Sequence, residues 1–184
     1  MKNLPFALFL AAAASGQTTA PVLVDSAWLT AHLHDPNLVL LQVGTKEDYA
    51  AKHIPGARAM TMNDVIRPMS HDRGDVEIMV ELPDAATLRA KLESFGISDS
   101  SRVVLYFASD KVVSATTRVL FTFDYIGLGD RTSLLDGGLP AWVASGKPVN
   151  TDVPPSVARA RRGSISWPAG KPSHGATDAR PATA

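Results

Sequence analysis

The side chains best placed to do chemistry lie in a short polar loop that interrupts the most apolar stretch of the chain. Between the run Arg102 to Phe107 and a helical pattern starting at about Ser114 stand Ala108, Ser109, Asp110, Lys111, Val112 and Val113. A serine hydroxyl attacks a substrate only beside a base that takes its proton. Ser109 is therefore read as a turn residue and Ser114 as a helix N-cap. Asp110 and Lys111 are read as solvated loop charges, and Arg118, a turn further on, could face an anion or solvent. His53 could act as acid or base. Ahead of Ile54-Pro55-Gly56, however, it is read as fixing a turn through a backbone hydrogen bond. His32 and His34, two apart, fall on opposite sides of a helix, and His71 and His174 are scattered, so metal ligation is not expected. Asp136, ahead of Gly137 and Gly138, could line a cleft or cap the helix from Leu139, and capping is the reading taken.

One absence decides more than any residue present. The 184 residues contain no cysteine, so this chain supplies no disulfide, no thiolate metal site and no thiol nucleophile. Nothing in the pattern calls for a cofactor. Eighteen basic and eighteen acidic residues cancel, which gives no support to a nucleic-acid partner or a hold on anionic membrane. With 45% hydrophobic and 20% charged residues, the composition is that of a soluble globular chain.

These side chains need a scaffold. Arg102 to Phe107 is apolar almost without interruption, as in a strand buried on both faces of a parallel sheet. Ala115, Val119, Leu120 and Phe123 then recur at helical spacing until Gly127. The loop at such a strand's carboxyl end is where open α/β sheets bind ligands. Upstream, Val22 to Leu33 reads as a short helix capped by Asp25 or Ser26, Asn37 to Val43 as a second strand, and Lys46 to Ala51 as another short helix. His53 to Ala57 is a turn built on Pro55 and Gly56. Thr61 to Leu82 shows no clean period and reads as a long surface excursion. Asp84 caps a helix that Gly96 ends. Arg131 to Leu135 is a further strand, and Leu139 to Ser145 a helix with Trp142 in the core beside Leu139 and Val143. Strands alternate with helices, so the class is α/β with a mainly parallel sheet.

At the ends the composition shifts. Met1 to Gly16 pairs one positive charge with an apolar run and small residues, the layout of a signal peptide cleaved before Gln17 and too short for a stable membrane anchor. A periplasmic or secreted protein is the expectation. One domain should then occupy residues 17–150. Residues 151–184 are rich in Pro, Gly, Ala, Ser and Arg and are read as a flexible tail or truncated linker, with Arg159, Arg161 and Arg162 in solvent.

Three segments in order resemble the rhodanese family of sulfurtransferases. LLQVGTKEDYAAKHIPGA, Leu40 to Ala57, is similar to the family's early signature. VVLYFASDKVVSATTR is similar to its strand and active-site loop, and LLDGGLPAW, Leu134 to Trp142, to its closing signature. The resemblance covers about residues 22–149 and implies a three-layer domain with a central parallel sheet flanked by helices. In active members a Cys directly after the central strand takes sulfur from thiosulfate or another donor as a persulfide and passes it to an acceptor. The aligned position here is Phe107, which cannot attack anything. Gln42 and Gly44 stand where the family has Asp and Arg. The resemblance therefore implies a cysteine-less domain, like the amino-terminal one of tandem members, catalytically silent alone. Its expected partners are a catalytic rhodanese domain in cis or in trans and a small sulfur-containing anion. Two alternatives stand: half of an active tandem enzyme whose second domain is missing, or a module that binds a small oxyanion without chemistry.

Overall fold

The computed structural model describes residues 20–67, 81–152 and 165. Its middle strand is β4, Arg102–Phe107, buried from Val103 onward, as its unbroken apolar run requires of a strand covered on both faces. Around it the sheet runs in the order β1, β5, β4, β2, β3, where β1 is Leu23–Val24, β2 Leu38–Val43, β3 Arg58–Met60 and β5 Thr132–Leu135. Every pairing is parallel.

Alternation along the strands divides the interior into two cores. Val103 and Leu105 share one face with Val39, Leu41 and Val43 and pack against Leu88 and Leu92 of α3, Ala85–Ser94, and Val119 and Phe123 of α4, Val113–Tyr125. Val104, Tyr106 and Leu40 face the other way. They meet Leu29 of α1, Ser26–His32, Tyr49 of α2, Lys46–Ala51, and Leu139 and Trp142 of α5, Gly138–Ala144. Each fully buried aliphatic or aromatic side chain contributes roughly 1.5–3 kcal/mol by leaving water. A one-residue slip of β4 would exchange the two sets, so the register is strongly specified.

Local signals place most of the helix ends. The Asp25 carboxylate accepts the Trp28 amide at 2.7 Å, and Asp84 accepts the Thr87 amide at 3.0 Å. Helix α4 gives way at Ile126 to Gly127, whose φ of +85° suits glycine.

Elsewhere the expectations need correction. Leu23–Val24, read as part of a helix, is an edge strand, and β3 occupies the three residues left unassigned between the turn and the excursion. The excursion itself contains a 3₁₀ turn at Met62–Asp64, while residues 68–80 of it lie outside the described residues, as do the leader, 1–16, and nearly all of the tail. Val143 is exposed, at 41%, although Leu139 and Trp142 beside it are buried. The tail was expected to bury nothing, yet Ile165 is 1% exposed and belongs to the core under α3 and α4.

Candidate functional site

The carboxyl ends of β2, β4 and β5 come together, and the backbone there closes around a single aromatic ring. Val43 and Phe107 are register partners across β2 and β4, and α5 begins three residues after β5 ends. Phe107 is 8% exposed. A β-carbon on Gly138 would stand 2.6 Å from ring atoms Cδ2 and Cε2 of Phe107 and 2.8 Å from its carbonyl oxygen. Gly138 therefore lies flat against the ring, with a φ of +55° that glycine adopts at little cost. On the β2 side, a β-carbon on Gly44 would sit 3.4 Å from the Ala108 β-carbon.

Beyond Phe107 the chain is extended at Ser109, then forms a 3₁₀ turn over Asp110–Val112, with the Val112 amide donating to the Ser109 carbonyl at 3.1 Å. Helix α4 follows from Val113, one residue earlier than the spacing suggested. Ser114 lies inside that helix rather than at its cap. Val112 takes the cap position without any side-chain bond, so the reading of Ser114 as N-cap is corrected. Asp110 and Lys111 are exposed. Among the described residues no histidine or carboxylate is hydrogen-bonded to the hydroxyl of Ser109 or Ser114, so neither has the base that a serine nucleophile needs.

Asp136 does not cap α5 either. Its amide donates to the Val24 carbonyl at 2.8 Å and its side chain is exposed, while Gly137, at a φ of +66°, occupies the cap. A β-carbon at Gly137 would come within 2.5 Å of the Ala141 β-carbon, so two successive left-handed glycines turn β5 into α5. Trp142 is fully buried and its indole N–H donates to the Pro148 carbonyl at 2.8 Å.

The His53 to Ala57 turn is tied to the strand that presents Phe107. His53 is buried, with Nδ1 2.9 Å from the Tyr49 carbonyl and its ring stacked on that of Tyr49 at 4.0 Å. Its backbone exchanges two hydrogen bonds with Asn150, at 2.8 and 2.7 Å. Pro55 and Gly56 form the bend, with Gly56 at a φ of +80° and the Ala57 amide donating to the Ile54 carbonyl. From the turn, the Ile54 amide donates to the Tyr106 hydroxyl at 3.0 Å, and that hydroxyl donates to Oε1 of Gln42 at 2.8 Å. Gln42 is 1% exposed, and its Nε2 has no hydrogen-bond partner among the described residues. Burial holds the Tyr106 phenol well above its ordinary value, so it remains a donor wherever the fold stands. The resemblance singled out Gln42 as a departure from the family, but its partner 64 positions away could not be read locally.

Tyr106→Phe is expected to cost about 2–4 kcal/mol, because it strands both the Ile54 amide and the Gln42 carbonyl in a buried site. Chemical denaturation measures this. A loss under about 1 kcal/mol would show that the network contributes little.

A family model described as a rhodanese-like domain matches residues 25–145. The probable 3-mercaptopyruvate sulfurtransferase of Pseudomonas aeruginosa is 35% identical over 133 residues, which cover 67% of this chain and 45% of that protein. The sulfur carrier protein TtuD of Thermus thermophilus is 34% identical over 143 residues, covering 76% and 45%. The chain thus spans about half the length of these curated relatives. Among solved structures, YnjE matches with a TM-score of 0.65 and 27% identity, over 80% of this chain and 35% of that one. SseA from Escherichia coli, a 3-mercaptopyruvate sulfotransferase, matches at 0.62 and 16% identity over 80% of this chain and 57% of that one, a likeness of fold alone.

Proposed function

This chain belongs to the rhodanese family, and from that premise we propose that it is a non-catalytic rhodanese-like domain, one that supports sulfur transfer without performing it. The observation that carries the reading is Phe107. The resemblance puts the sulfur-carrying cysteine at this position, the 184 residues contain no cysteine, and a hydrocarbon ring packed on Gly138 takes the space. Persulfide formation needs a thiolate, and an oxygen nucleophile could not replace it even if Ser109 or Ser114 were activated.

The role left to such a domain is to shape a cleft against a catalytic rhodanese domain, in cis or in trans. That the match covers 45% of each of these curated relatives, leaving more than half of their length outside it, supports a partner of this kind. A small sulfur-containing anion would then lie between the two domains. Export remains part of the proposal, resting on the charge and apolar pattern of Met1 to Gly16.

The purified chain, given thiosulfate and cyanide, is expected to form thiocyanate no faster than a denatured control. Turnover above that control would overturn the reading.

A further inference from the structure

Ile165 lies twenty residues beyond the last residue matched by the family model, in a stretch whose composition predicts nothing buried. It is nonetheless 1% exposed and joins the core that includes Leu88 and Leu92 of α3 and Val119 and Phe123 of α4. Its amide lies 3.4 Å from Oε1 of Glu93 on α3, longer than the usual N–H···O distance.

Upstream, the chain is held on the other side of the sheet. Trp142 packs with Leu139 in the second core, and Asn150 pairs with His53, next to Ile54 of that same core. Asn150 and Ile165 are therefore held on opposite faces of the sheet. Fifteen residues reach up to about 50 Å when extended, ample for layers that pack about 10 Å apart on each side.

We propose that Ile165 is an anchor, and that the α3–α4 layer contains a socket for one aliphatic side chain whose occupant comes from this chain, beyond the family domain. The anchor completes that core. The inference does not depend on whether the domain is catalytic.

The chain has no cysteine, so Ser166→Cys in the full-length protein creates a unique attachment point for a nitroxide. Amide signals of α3, at Lys91 and Ser94, are expected to broaden, while those of Val143 and Ala144 in α5 stay sharp. Broadening at α5, or at neither helix, overturns the proposal. In unlabelled protein, Ile165→Ala is expected to lower the ratio of folded to unfolded chains roughly 30-fold or more. The exposed control Val149→Ala should change it by no more than about 2-fold. If Ile165→Ala fails to fold, Ile165→Val should show a loss of about 2-fold to 10-fold. An Ile165 variant that matches the control would also overturn the anchor.

Discussion

Gly138→Ala is expected to destabilise the domain by about 2–5 kcal/mol, through two separate costs. The first is conformational, because a residue with a β-carbon at a φ of +55° carries a penalty of order 1 kcal/mol or more. The second is steric. The new methyl would lie 2.6 Å from two ring carbons of Phe107 and 2.8 Å from its carbonyl oxygen, and forcing a methyl into a close-packed interior costs typically about 1–3 kcal/mol. The ring could swing away in principle, but Phe107 is 8% exposed and its strand is fixed by register on both sides. Denaturation midpoints test the size of the effect, and a double-mutant cycle tests its cause. In a Phe107→Ala background the ring contact is gone and only the carbonyl contact remains, so Gly138→Ala should cost less there than in the parent. Strict additivity would show that the ring is not what Gly138 accommodates.

That contact shows how far the sequence could be read. β4 is bounded by Arg102 and Phe107 and α2 by Lys46 and Ala51, as the sequence suggested, because six residues are enough to show an unbroken apolar run or more than one helical turn. β1 and β3 were missed because two or three residues carry no period at all. They are strands only through their pairing, Leu23 with Leu134 and Arg58 with Leu41. The caps assigned to Ser114 and Asp136 failed for a related reason. Both are good capping residues by type, but the helix ends fall at Val112, the last residue of a 3₁₀ turn, and at Gly137, whose left-handed backbone turns β5 into α5. The candidate site was legible as a place, the loop after the central strand, and by its resemblance as a place without its cysteine. That Gly138 closes on the Phe107 ring was not legible, since the two are 31 positions apart and meet only when β4 and β5 are aligned. Ile165 was missed for the opposite reason: composition averages over a segment, and one buried residue hardly changes the average.

Phe107→Cys puts sulfur back at the position where the family resemblance expects it, and the variant is nonetheless expected to form thiocyanate from thiosulfate and cyanide at close to the background rate. Charge is one reason. Lys111 is the only basic residue between Ala108 and Val113, and it points into solvent, paired in sequence with an equally exposed Asp110. An ordinary thiol has a pKa near 8.5, so only about 3% would be thiolate at pH 7, and partial burial would reduce that further. The amino end of α4 pulls in the favourable direction, but an exposed helix end contributes only about 0.3–1 kcal/mol, too little to ionise the thiol by itself. Packing is the other reason. Exchanging a buried ring for a thiol removes the contact on Gly138 and leaves a cavity, at a cost of about 2–4 kcal/mol, and a loosened strand end holds a nucleophile poorly. Two measurements separate these causes. The pH dependence of alkylation should place the thiol at or above about 8.5, and denaturation should show the loss of stability. Robust turnover, with the thiol titrating well below neutrality, would mean that the loop amides from Ser109 to Val113 still surround an anion, and that the missing cysteine alone keeps the domain silent.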